Sequence, residues 1–121
     1  MKLSPLDKLF SEFIRRRAIE RVGGCERCLV GKTDYKQLQC SHFHGRAKKS
    51  VRWDEDNAVG LCAGCHMYLT SQPKEHFEWF KNYLGEDKLD LLSSRVRITH
   101  PKPDIELLTI YYKEKIKEIL R

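Results

Sequence analysis

The chain has 121 residues, a third of them charged and 40% hydrophobic, which suits a single globular domain and argues against a disordered tail. No run approaches the roughly 18 apolar residues of a membrane span, and Met1–Pro5 has no signal-peptide pattern, so a cytoplasmic, reduced protein is expected. The formal net charge of +6 favours a polyanionic partner.

The first predicted element is a helix over residues 4–22. Ser4 is a suitable N-cap, Pro5 suits the first helical position and Asp7 adds a negative charge to the first turn. Leu6, Leu9, Phe10, Phe13 and Ile14 then recur at helical spacing, and Gly23-Gly24 ends the run. Arg15-Arg16-Arg17 reads either as a contact to a phosphate backbone or as a solvated helix end.

Beyond Gly24 the helical period stops. Lys36–Cys40 alternates like a short strand, and Ala58–Leu61 is its candidate partner. The polar connection between them is too long for a tight hairpin, and loops of that kind usually carry function. A short helix is predicted from about Ala63. Further helices follow over Pro73–Leu84, Leu89–Val96 and from Asp104 onward. The C-terminal region, 73–121, either packs on the core or supplies an interface.

Two cysteine pairs frame the middle of the chain, Cys25-Glu26-Arg27-Cys28 and Cys62-Ala63-Gly64-Cys65. Four thiolates at this repeated spacing are the ligand set of a tetrahedral structural Zn²⁺. Cys40 is left over and reads as a buried core residue rather than a ligand.

Between the pairs lie Cys40-Ser41-His42-Phe43-His44-Gly45-Arg46 and Arg52-Trp53-Asp54-Glu55-Asp56-Asn57, and His66 directly follows the last cysteine. Histidine at a strand end, asparagine before the second strand and histidine on the next helix form an order that resembles the HNH (ββα-metal) nucleases. That resemblance implies a mainly α, α+β fold, with a zinc-stapled ββα-metal core over 25–71 between an N-terminal helix and C-terminal helices.

It also implies that His42 is the general base that activates water, since a neutral imidazole accepts protons near neutral pH. Asn57 would brace the loop and hold the His42 ring in register. His66 would ligate one catalytic Mg²⁺ or Mn²⁺ at the scissile phosphate. Ser41 stands where many HNH enzymes carry an acid or a second histidine. The missing ligand is sought first in His44, then in Asp54 or water. The alternative exchanges the roles, with His42 on the metal and His44 as base. His76 and His100 read as ordinary histidines.

Leu6–Arg15, Gln39–Phe43 with Arg46, and Arg52–Asn57 are together similar to the lambda-type phage recombination proteins of the NinG/Rap family, over about Leu6–Tyr68. The resemblance implies a zinc-containing, divalent-metal-dependent endonuclease acting on branched DNA, in the host cytoplasm. Symmetric cutting of a junction would favour a homodimer. Some members carry asparagine at the position of His66. Other readings are a general HNH nuclease for restriction or phage packaging, and a non-catalytic zinc module that binds nucleic acid.

Arg46, Lys48, Lys49 and Arg52 lie between His42 and Trp53 with no acid among them, and are the expected DNA phosphate contacts. Arg46 is the first choice for the scissile phosphate, because its planar fork can grip two oxygens. Trp53 either stacks on a base or anchors the loop to the core.

Overall fold

The structure is a computed structural model that describes residues 2–121. Among these residues it is mainly helical, with five α-helices and one two-stranded antiparallel sheet. No helix among them is long and apolar enough to cross a membrane.

Helix α1, Pro5–Val22, begins where the Ser4 cap predicts. The Ser4 hydroxyl accepts from the Asp7 amide, and Asp7 Oδ2 accepts from the Ser4 amide at 2.7 Å, so two otherwise orphaned donors are satisfied reciprocally. Gly23, at φ 69°, closes the helix in the left-handed region that a side chain disfavours.

Strand β1 is Gln39–His42, three residues later than the alternation of Lys36–Cys40 suggests. Asp34 and Gln37 instead close a tight 3-10 turn over Tyr35–Gln37, with each side chain bonded to backbone of the turn. Their local hydrogen bonds outcompete a polar strand start. Strand β2, Ala58–Leu61, lies where expected and pairs Ser41 with Val59 and His42 with Ala58.

The sheet forms a middle layer. Ala58 joins Phe10, Phe13, Ile14, Tyr112 and Ile116 on the face covered by α1 and α5 (Ile105–Leu120). Val59 and Leu61 join Leu69 and Phe80 on the other face, beneath α2 (Ala63–Ser71) and α3 (Pro73–Leu84). With both faces covered, all four β2 residues are buried. A Cβ added at Gly60 would lie 2.7 Å from the Ala18 methyl group, so glycine permits the close approach of α1 to β2.

Helix α4, Glu86–Val96, starts three residues before the expected Leu89, with Glu86 and Asp87 suited to its positive N-terminal end. It holds the long connection between the strands. Arg95 pairs with Asp54 at 2.7 Å and with Asp56 at 3.4 Å, and Ser50 donates to the Val96 carbonyl. The connection is thus an ordered loop containing 3-10 turns at Lys49–Val51 and Glu55–Asn57.

Candidate functional site

The cysteine pairs meet. Cys25 and Cys28 flank a turn in which the Leu29 amide donates to the Cys25 carbonyl, and Leu29 takes a left-handed φ of 62°. Gly24 is required beside it, because a Cβ there would sit 2.0 Å from the Val30 carbonyl oxygen. Cys62 caps α2 and Cys65 lies in its first turn.

The four sulfurs lie within 4.8 Å of one another, and Cys28 and Cys62 are 3.8 Å apart. Tetrahedral Zn²⁺ with bonds of about 2.3 Å separates its sulfurs by about 3.8 Å, so the cluster fits that ion. Burial and the neighbouring sulfurs push the Cys65 thiol up to about 12. Cys25 is drawn down to about 7 against its burial by backbone N–H groups of Cys62, Cys28 and Arg27. A cation is what would let all four ionise together.

Glu26 ties this knuckle to the free edge of β2. Its amide donates to the Gly60 carbonyl, and its carboxylate accepts from the Gly60 amide at 2.7 Å and from the Tyr83 hydroxyl. This buried acid positions the knuckle against the hairpin, and nothing in its sequence context singled it out.

At the end of β1, His42 is half-buried, with its ring 5.7 Å from Phe10. Its Nε2 lies 3.1 Å from the Arg52 carbonyl. A carbonyl can only accept, so Nε2 carries the hydrogen and Nδ1 keeps a free lone pair. Burial lowers the ring's pKa to about 4, with the Arg46 charge acting in the same direction. His42 is therefore neutral at pH 7.

His66 shows the mirror arrangement. Its Nδ1 lies 2.7 Å from Gln39 Oε1, so Nδ1 donates and Nε2 is the nitrogen left for a ligand. Burial and the Arg46 charge lower its pKa too. Strand alternation puts Gln39 and Ser41 on the face towards α2, and Cys40 and His42 on the face towards α1. His42 thus lies on the α1 face of the hairpin, while His66, on α2, reaches the other face at Gln39, and the Arg46 charge lowers the pKa of both.

Asn57 is completely buried and braces the loop at three points. It accepts from the His44 amide at 2.8 Å and donates to the carbonyls of His44 and Val51, each at 2.9 Å. The His42 ring is held by the Arg52 carbonyl, not by Asn57 as expected.

His44 does not join His66 in a ligand group. Among the described residues the four cysteines are the one cluster of three or more Cys, His, Asp or Glu ligands at metal-binding distance. The His44 ring stacks edge-on against Phe43, 4.7 Å away, and its Nε2 is buried without a hydrogen-bond partner. Asp54, the next choice, is taken up by Arg95.

Arg52 does not face solvent as the cationic loop suggests. Its guanidinium is buried and grips Asp7 through Nε at 2.9 Å and Nη2 at 2.5 Å, so it is not a free phosphate contact. Trp53 donates its indole N–H to the same carboxylate at 3.0 Å, which makes it a core anchor. Asp7, expected only to suit a helix dipole, is the hub. Its burial opposes ionisation, but hydrogen bonds from Arg52 and Ser4 outweigh that and hold its carboxyl well below the usual range.

Arg17 is likewise buried, donating to the carbonyls of Glu55 and Ala58, whereas Arg15 and Arg16 lie over the Tyr35 ring. Lys48 and Lys49 are exposed and Arg46 is half-buried, and none of the three forms an ion pair among the described residues. Cys40 packs against the α1 core, where burial pushes its thiol up to about 12, as suits a core residue.

Comparison with family models, curated proteins and solved structures returns no match for the chain.

Proposed function

We propose that the chain is a divalent-metal-dependent DNA endonuclease of the HNH (ββα-metal) kind, hydrolysing phosphodiester bonds. The observation that carries this reading is the pair of complementary imidazoles on one hairpin and its following helix. His42 has Nδ1 free and His66 has Nε2 free, and each is fixed by a hydrogen bond through its other nitrogen.

In this reading a phosphate straddles the end of the hairpin. His42 Nδ1 takes a proton from the attacking water, which the neutral ring can do at pH 7. Arg46, sensed by both histidines, holds the phosphate oxygens. Lys48 and Lys49 hold the flanking backbone without reading sequence. His66, oriented by Gln39, would be the protein ligand of Mg²⁺ or Mn²⁺. That ion supplies Lewis acidity to the phosphate and charge stabilisation to the leaving 3′-oxygen. With Ser41 and His44 not serving, His66 would be the one protein ligand of that ion, without the carboxylate that commonly holds Mg²⁺.

The similarity to NinG/Rap proteins makes branched recombination intermediates of phage or prophage DNA the proposed substrate, in the host cytoplasm, with a homodimer suited to symmetric junction cutting. One observation favours the non-catalytic zinc module instead: His66 gathers no group of three protein ligands.

The test compares linear duplex, D-loop and four-way junction DNA, each with and without Mn²⁺. Metal-dependent cutting concentrated on the branched substrates is the expected outcome. Equal cutting of all three would point to a general HNH nuclease. Binding with no cutting in any metal would leave only the zinc module.

A further inference from the structure

A second feature lies directly behind the His42 loop. A cleft of about 710 Å³ opens between residues 47–53 and the segment joining α4 to α5. Trp53, Val96, Ile98, Pro103 and Ile105 form its apolar wall. Ile98 and Ile105 are about half exposed, so their side chains are open to an occupant of the cleft. Lys48, Lys49 and Lys102 also line it, with no carboxylate, and none of these lysines is in an ion pair among the described residues.

An occupant that suits both features has an apolar body and negative charge. We infer that this cleft receives one unpaired nucleotide of the DNA, its base against the isoleucines and its phosphates on the lysines. The inference rests on the nuclease reading and names what selects its substrate. A base stacked within a duplex cannot enter such a cleft, whereas one at a branch, gap or flap can do so without the cost of unpairing.

The cleft is joined to the candidate site through one residue. Arg52 is among the residues that line it, and the Arg52 carbonyl receives the His42 N–H. A nucleotide seated here would lie against the same loop whose Arg52 carbonyl holds the His42 ring.

The test needs no cleavage. A duplex with a one-nucleotide branch carries 2-aminopurine at the unpaired position, and a fully paired duplex carries it inside the stack. Affinity and 2-aminopurine emission are measured without divalent metal for wild type, Ile98→Asp and Lys102→Ala. Both substitutions are at exposed positions, and unchanged urea midpoints would establish that the variants fold. Wild type should prefer the branched probe roughly tenfold, in the range base contacts contribute, and should change its emission. Ile98→Asp should abolish the preference and the emission change while keeping duplex affinity, and Lys102→Ala should reduce the preference.

Equal affinity of wild type for both probes, or a preference untouched by Ile98→Asp, would overturn the inference. So would displacement of the probe by an acidic peptide but not by a mononucleotide. The two proposals fail separately. Mn²⁺-dependent cutting without any preference for the unpaired base sinks the cleft alone, whereas that preference without cutting sinks the nuclease alone.

Discussion

Asp7 is the point at which the fold and the candidate site are most tightly joined. Its carboxylate accepts from the Ser4 amide and hydroxyl, both Arg52 donors and the Trp53 indole, all in a largely buried setting. Replacing it by Leu strands the Arg52 guanidinium and removes half of the α1 capping box. Breaking a buried pair from one side costs about 3–5 kcal/mol, and loss of a cap about 1 kcal/mol more. Asp7→Leu should therefore lose about 4–6 kcal/mol of a total expected near 5–15, measured by urea unfolding.

The double variant Asp7→Leu/Arg52→Met removes the stranded charge. It should be more stable than the sum of the single effects predicts by about 1–3 kcal/mol, the coupling typical of residues in one network. The pair also contributes a pH dependence. The Asp7 pKa is depressed on folding, so its stabilisation is complete above the unfolded value of 3.8 and is lost as the pH falls below it. Additive single and double variants, or an Asp7→Leu loss below about 1 kcal/mol, would refute the buried-hub description.

Asn57→Ala leaves the His44 amide and carbonyl without partners and takes one of two donors from the Val51 carbonyl, which keeps the Asp54 amide, and should cost about 2–4 kcal/mol in thermal or urea unfolding. His42 should make the protein acid-sensitive: its pKa falls from 6.5 to about 4 on folding, so stability drops by up to about 3 kcal/mol as the pH falls from 6.5 towards 4. That slope should shrink in His42→Gln, and an unchanged slope in pH-dependent unfolding would exclude the assignment. The reduced protein should carry one Zn²⁺ by elemental analysis, and stripping it with a chelator should unfold the knuckle, read by circular dichroism.

Local chemistry made much of this legible. The Ser4-Pro5-Leu6-Asp7 start, the Gly23 stop and the duplicated cysteine spacing each act within a few residues, and α1 and the sulfur cluster follow from them. Strand β1 starts later than the alternation at Lys36–Cys40 suggests because the capping side chains of Asp34 and Gln37 compete with it, and their turn wins. The cationic loop around Arg52 suggests a DNA contact. The partner of Arg52 lies 45 residues away on α1, and no periodicity reveals such a pair. Gln39 and Glu26 escaped notice for the same reason: each acts on an element brought to it only by folding. The Arg52 carbonyl that fixes the His42 tautomer is backbone and carries no sequence signal.

Catalysis in this site rests on one lone pair, that of His42 Nδ1. Single-turnover cleavage of a four-way junction in Mn²⁺, at saturating protein, compares wild type with His42→Ala. The rate should be at least about 100-fold lower in the variant, the usual contribution of a general base, with DNA affinity within about twofold of wild type. A variant that cuts at the wild-type rate would contradict this role of His42.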